Sequence, residues 1–250
     1  MLELIRVSKT FRSGLLGTAA PVAVQNVSLH LEKGQILGLI GASGCGKSTI
    51  ARIAVRLLRP TAGRIKLDGK DVTTMPERLF RRYRRCIQIM FQHPEGALDP
   101  CYTLSESIDE SFRRLTLPQK ERDSLLNSLL AEVGLSHQVL DRRPDQVSGG
   151  EIQRAVLVRV LAFTPDYLVL DEPTSMLDLS VQAHILRLLG KKVRKDNIGL
   201  LFISHDLEVV RAMCDRVLVM KSGSIVEQGP VEKVFTRPAH AYTAKLIECL

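Results

Sequence analysis

Nine residues, "GASGCGKST" at positions 41–49, carry the densest chemistry in the chain. They fit the pattern G-x-x-x-x-G-K-[ST], with Gly41, Gly46, Lys47 and Ser48 at the fixed positions. In such a loop the backbone amides wrap phosphate groups and the glycines tolerate the conformation. Lys47 would reach the outer phosphate oxygens, and the Ser48 hydroxyl would hold Mg²⁺. A second constellation, "YLVLDEP" at 167–173, puts two carboxylates at the end of an apolar strand. Asp171 would hold Mg²⁺ through water, and Glu172 would polarise an attacking water as a general base. A strand end with two exposed acids looks the same, but a phosphate loop upstream favours the chemical reading. Gln92, in "IQIMFQHP", and His205, in "LFISHD", end further apolar runs. Gln92 could contact the metal and the lytic water, and His205 the γ-phosphate. A histidine so placed is also an ordinary surface or core residue.

The octet "VSGGEIQR" at 147–154 admits two readings. Ser148 and Glu151 have capping-box spacing, each able to satisfy the other's amide. That reading needs only one of the two glycines. Two small residues at a helix N-terminus would also let a bulky anion approach the bare amides, where the helix dipole favours negative charge.

These residues need rigid elements behind them. "QILGLIG" is a continuous apolar strand running into the phosphate loop, and "STIARIAVRLL" continues with helical periodicity, predicting a helix up to Pro60. Before it, Leu2, Leu4, Val7, Val24, Val27, Leu29 and Leu31 alternate as in half-buried strands, with "RSGLLGTAAP" as a loop between them. "GRIKLDGKDV" reads as a hairpin turning at Asp68-Gly69, and "DRVLVMKSGSIVEQG" as another at Ser222-Gly223. From about residue 94 to 160 the pattern is helical. Buried strands then alternate with the helix "SVQAHILRLLGKKVRK", which implies a parallel sheet covered on both faces. The expected architecture is one α/β domain with a helical insertion.

Composition limits the alternatives. At 250 residues with 45% apolar and 25% charged residues, the chain can bury a full core. The apolar runs are strand-length, so no membrane span is expected, and the opening "MLELIRVSKTF" lacks signal-peptide character, which makes a cytosolic location the default. The 5 cysteines are scattered without a C-x-x-C pair, suggesting neither a disulfide framework nor a zinc site. Much of the +8 net charge lies in "ERLFRRYRRC", a solvated helix face or a surface for phosphates or lipid. With aromatics at 4% and no Trp, there is little to stack bases on, and no nucleic-acid partner is expected.

Taken in order, the loop at 41–49, Gln92, "VSGGEIQR", "YLVLDEP", "SMLD" at 175–178 and "ISHD" at 203–206 resemble the ATP-binding cassette (ABC) transporter ATPases over the whole chain. The resemblance implies a P-loop NTPase fold: a parallel-sheet core (1–91 and 161–250), an antiparallel β subdomain, and a helical subdomain (92–160) carrying the signature. It implies ATP hydrolysis with Mg²⁺. Gly41, Ser43, Gly44, Cys45, Gly46, Lys47, Ser48 and Thr49 would hold the nucleotide, and Phe11 would stack on adenine unless it is a core strand residue. Ser48, Gln92 and Asp171 would face Mg²⁺, and Glu172, His205, Gln92 and Lys47 would be catalytic. A head-to-tail dimer is implied, in which Ser148 and Gly150 donate to the partner's γ-phosphate, Gly149 between them belongs to the same nucleotide-binding turn, and Asp178 couples the two sites. Val147, Glu151 and Met176 depart from the family pattern, which usually has Leu, Gln and Ala there.

"FQHPEGALDPCYTL" and "RPAHAYTAKL", with His240, Tyr242 and Thr243, are similar to the ATPases of peptide and nickel importers. The chain's stop at Leu250 leans toward the nickel or metal-chelate branch, because many peptide-importing relatives continue further. The implied setting is the cytoplasmic face of the inner membrane, under two permease subunits fed by an extracytoplasmic binding protein. The rival readings are an exporter ATPase, against which the two marker segments speak, and a soluble cassette ATPase of translation or DNA repair. The latter usually has tandem cassettes or a coiled-coil insertion.

Overall fold

The computed structural model describes residues 1–11, 22–174 and 176–248. The loop expected over 12–21 and Ser175 of "SMLD" lie outside the described residues.

Alternating apolar residues make β1 (Leu2–Thr10) and β2 (Val22–Leu31), which pair antiparallel with Leu2 opposite Leu31 and Leu4 opposite Leu29. The wholly buried β3 (Ile36–Ile40) leads through the glycine loop into α1 (Lys47–Ala54). Next come β4 (Ala62–Leu67) and β5 (Lys70–Asp71), turning at Asp68 and Gly69, whose φ values of 48° and 77° are those of a tight hairpin turn. α2 (Glu77–Phe80) opens the basic segment that runs into β6 (Ile87–Met90). The helical lobe follows: α3 (Leu104–Arg113), α4 (Gln119–Val133) and α5 (Gly149–Leu161). Its ends are well specified, with a Thr103–Glu106 capping box opening α3 and Gly134 in the left-handed region closing α4. The chain returns through β7 (Tyr167–Asp171), α6 (Leu179–Lys195), β8 (Gly199–Ile203), α7 (Leu207–Met213), β9 (Arg216–Lys221) and β10 (Ser224–Pro230). It closes with α8 (Val231–Thr236) and α9 (Ala241–Glu248).

The strands form two sheets. One is antiparallel in the order β2-β1-β4-β5, and the other runs β10-β9-β3-β8-β7-β6. In the second, every neighbouring pair from β9 to β6 is parallel and β10 closes the edge antiparallel. Side chains alternate across the large sheet, so its two faces feed two cores. Leu37, Leu39, Val169 and Leu201 pack with the antiparallel sheet and α1. Ile36, Leu168, Leu200 and Phe202 pack with Ile108, Phe112, Leu130 and Val156 of the helical lobe. The lobe therefore shares a continuous core with the sheet. This is the α/β architecture expected, with its antiparallel β subdomain and helical insertion.

Two local expectations fail. α1 ends at Ala54, six residues before Pro60, and Arg56 adopts φ 54°. The reason is packing: the buried Arg56 guanidinium lies 4.3 Å from the Phe80 ring centroid and donates to the Met75 carbonyl, so the chain turns inward to deliver it. The basic run is likewise not one solvated helix face. α2 gives way to a 3₁₀ turn at Arg81–Tyr83, and Arg84 packs on the same ring, 4.7 Å from the Phe80 centroid and 3.1 Å from Glu77.

Candidate active site

Parallel strands present their C-terminal ends on one edge, and register decides which ends meet there. Leu39 of β3 pairs with Ile203 of β8, Ile203 with Asp171 of β7, and Leu170 with Met90 of β6. The phosphate loop after Ile40, the acids at Asp171 and Glu172, Gln92 beyond β6 and His205 beyond β8 therefore share one edge.

The loop itself is built on close backbone approach. A Cβ on Gly41 would stand 2.1 Å from the Met220 carbonyl oxygen, and one on Gly46 would stand 2.4 Å from that of Ala23. Both have positive φ, 149° and 110°. Ser43 and Gly44 are exposed, while Ser48 and Thr49 are half-buried at the start of α1. Lys47 Nζ donates to the Gly41 and Ala42 carbonyls at 2.7 and 3.0 Å, which holds its charge over the loop. Cys45 contributes only backbone. Its thiol is buried and its pKa pushed up by that burial, while its carbonyl accepts from the Gly223 amide at 3.0 Å.

Asp171 is buried, with 3% of its surface exposed, and accepts a hydrogen bond from Ser48. Burial raises its pKa first, the charge of Glu172 adds to this, and the Ser48 bond and Lys47 oppose it. Glu172 turns the chain with φ 52°, a left-handed conformation costing about 1 kcal/mol in a non-glycine residue. Its carboxylate is held from both sides. Gln92 Nε2 donates to Oε2 at 2.8 Å, and His205 Nδ1 lies 3.2 Å from Oε1. The carboxylate is mostly covered, whereas the His205 side chain is 69% exposed. Oxygen donors from Ser48 and Asp171, with the Gln92 side chain nearby, are the hard ligand set that Mg²⁺ takes, and a cation there would offset the burial of Asp171. The residues present fit that ion.

The signature forms a second cluster. The capping box is complete: Ser148 Oγ accepts from the Glu151 amide at 3.3 Å, and Glu151 Oε2 accepts from the Ser148 amide at 2.8 Å. The Ser148 backbone bond holds the Glu151 carboxyl below the usual range against the opposing effect of burial, with the Ser148 hydroxyl adding to it. Met176 packs on this turn, its sulfur 3.1 Å from where a Cβ on Gly149 would sit. Asp178 caps α6, accepting from the Ser180 and Val181 amides at 3.1 and 3.0 Å. Phe11 does not join the core. It sits exposed at the end of β1 with Lys9 Nζ 5.5 Å from its ring centroid.

One contact escaped the sequence reading. The Ala42 amide of the phosphate loop donates to the Tyr242 hydroxyl at 3.0 Å. The two are 200 residues apart, and no periodicity connects them.

Comparison with known proteins decides what this edge belongs to. The ABC transporter family pattern matches residues 24–175. The chain belongs to the ABC transporter family. It is an ATP-binding cassette ATPase, and it hydrolyses ATP. It is 41% identical over 238 residues to a probable peptide ABC transporter ATP-binding protein, y4tS, of Sinorhizobium fredii, covering 94% of this chain and 67% of that one. It is 40% identical over 253 residues to the oligopeptide transport ATP-binding protein AppF of Bacillus subtilis, covering 99% and 77% respectively. Among solved structures, the dimeric bacterial ABC transporter cassette MJ0796 superposes with a TM-score of 0.85 at 28% identity, covering 92% of this chain and 99% of that one. A post-hydrolysis dimer of the same cassette, bound to ADP and phosphate, gives 0.84.

Proposed function

We propose that this ATPase is the energising subunit of an importer for di- or oligopeptides. Its hydrolytic centre is carried by one observation, the Glu172 carboxylate fixed between Gln92 and His205, one residue beyond the buried Asp171–Ser48 pair. Glu172 accepts the proton of the attacking water, Gln92 and His205 hold it in line, and Lys47 neutralises the outer phosphates. Mg²⁺, held by Ser48 and Asp171 with Gln92, would neutralise charge on the phosphate oxygens. The amides of 41–49 seat the phosphates, and Phe11 is the adenine platform.

The peptide solute is supported by relatives named for peptide transport at about 40% identity. These relatives are named for peptides and not for nickel. The same relatives favour import over export and over a soluble role in translation or repair. The dimeric cassette neighbours support a pair; arranged head to tail, it turns Ser148, Gly149, Gly150 and Asp178 to the partner's nucleotide. Exposed Met176 and Leu179, on either side of Asp178, give that face apolar area to bury. Among the described residues no helix is long and apolar enough to cross a membrane. In this reading the permease subunits hold the chain at the cytoplasmic face. Their seat is the groove between the basic segment and the helical lobe, lined by Arg81, Arg82, Phe91, Arg114 and Phe163. Phe91 adjoins Gln92, so a permease seated in this groove touches the segment that holds the general base. Residues 92–160 would move as the lobe that passes this motion on, and a binding protein outside would supply the solute.

Uptake tests the reading. In cells lacking this gene, the wild-type chain should restore import of a labelled tripeptide, and Lys47→Ala should not. Restored nickel import without peptide import would replace the solute.

A further inference from the structure

The C-terminal segment is clamped to the fold with more precision than a terminal helix needs. Glu227 of β10 accepts from the Ala239 amide at 2.7 Å and the His240 amide at 3.0 Å. Burial tends to raise its pKa, but these amides outweigh burial and hold it below the usual carboxylate range. Thr243, in the first turn of α9, is fully buried. The His240 ring accepts from the Tyr242 amide through Nδ1 at 3.0 Å. Each contact fixes the turn from which Tyr242 projects. Its ring carries Lys221 Nζ 5.1 Å from the centroid, and its hydroxyl meets the Ala42 amide.

Ala42 is where the phosphate loop leaves β3. Its carbonyl already accepts from Lys47 Nζ and, at 3.3 Å, from the Cys45 amide. Tyr242 ties the other side of this residue, so the peptide that orients Lys47 is bonded on both flanks. Ala42 is exposed, and without Tyr242 its amide would be free to pair with water and the loop to fluctuate.

We propose that Tyr242 is a positioning residue for the nucleotide: it pre-orders the phosphate loop through the Ala42 amide, so that ATP binds without first having to still it. This rests on the ATPase reading of the site. A loop that must be ordered during binding weakens ground state and transition state alike, which raises KM and leaves kcat unchanged.

Tyr242→Phe keeps the ring, its packing and the Lys221 contact, and removes only the oxygen. Loss of one hydrogen bond corresponds to roughly 3- to 10-fold weaker MgATP binding. Calorimetry on the full chain should show that drop, with kcat near wild type and faster hydrogen exchange confined to the peptide covering 41–47. Glu227→Gln, which loosens the clamp without touching the loop, should move both readouts in the same direction by less. Wild-type affinity together with wild-type exchange in Tyr242→Phe would overturn the proposal. So would a lower kcat at unchanged KM, the sign of a purely structural role. A wild-type chain that binds no MgATP while Ala42 stays protected would instead sink the ATPase reading, and the nucleotide role of Tyr242 with it.

Discussion

At the sheet edge the Glu172 carboxylate is held on both sides. Its backbone is left-handed, and its two oxygens face Gln92 and His205. A carboxylate held this way is oriented before substrate arrives, as a general base must be. Glu172→Gln keeps the shape and loses the basicity. MgATP affinity should persist while turnover falls on the order of 10²-fold or more, and the variant should accumulate as an ATP-bound dimer on size exclusion. Hydrolysis at the wild-type rate would remove Glu172 from the chemistry. Most of these groups were legible in the sequence because each sits at a fixed spacing from a strand end. The hydrogen bond between Gln92 and Glu172 was not, since only the register of β6 on β7 brings them together.

Among the elements, the phosphate loop shows how backbone geometry restricts side chains. Gly44 and Gly46 both have positive φ, but a Cβ on Gly44 meets nothing within 4 Å, whereas one on Gly46 strikes the Ala23 carbonyl oxygen. Gly44→Ala should therefore cost only the conformational strain, about 1–2 kcal/mol, and keep a folded chain with a normal unfolding transition apart from that loss. Gly46→Ala must push β2 away or distort the loop, and should abolish MgATP binding while lowering thermal stability further. Equal effects in thermal melts and calorimetry would show that steric contact is not what matters. Strand, loop and hairpin positions were readable because period-two burial and Asp-Gly or Ser-Gly turns are local signals. The end of α1 was not, because Arg56 is drawn inward by Phe80, 24 positions along the chain, and helical periodicity carries no trace of such a partner. The basic run departs from a single helix face for the same reason, since Arg84 stacks on that ring while Arg81 and Arg82 line a groove.

For the whole molecule, what matters is which surfaces await a partner. Arg81 and Arg82 are exposed on the groove wall and lie outside both cores, so Arg81→Glu with Arg82→Glu should leave MgATP binding intact. Copurification of the permease from membranes should be lost, and its retention would move the docking seat elsewhere. The signature face asks the other question, whether its amides serve this chain or a second copy. Ser148 already completes a capping box, so a purely local role predicts that Ser148→Arg loses about 1 kcal/mol of stability, with activity recovered on cooling. A role across the dimer predicts near-normal MgATP affinity, since Lys47 and Ser48 are untouched, and collapsed hydrolysis. Pairing Ser148→Arg with Lys47→Ala in mixed dimers separates the two. With both changes on one subunit, one composite site lacks its signature and the other its phosphate loop, so neither is whole. With the changes on opposite subunits, both defects fall in one site and the second stays intact. Action in trans therefore requires more hydrolysis from the opposite-subunit dimer than from the same-subunit dimer. If each signature served its own loop, the same-subunit dimer would keep the intact site, and the order would reverse.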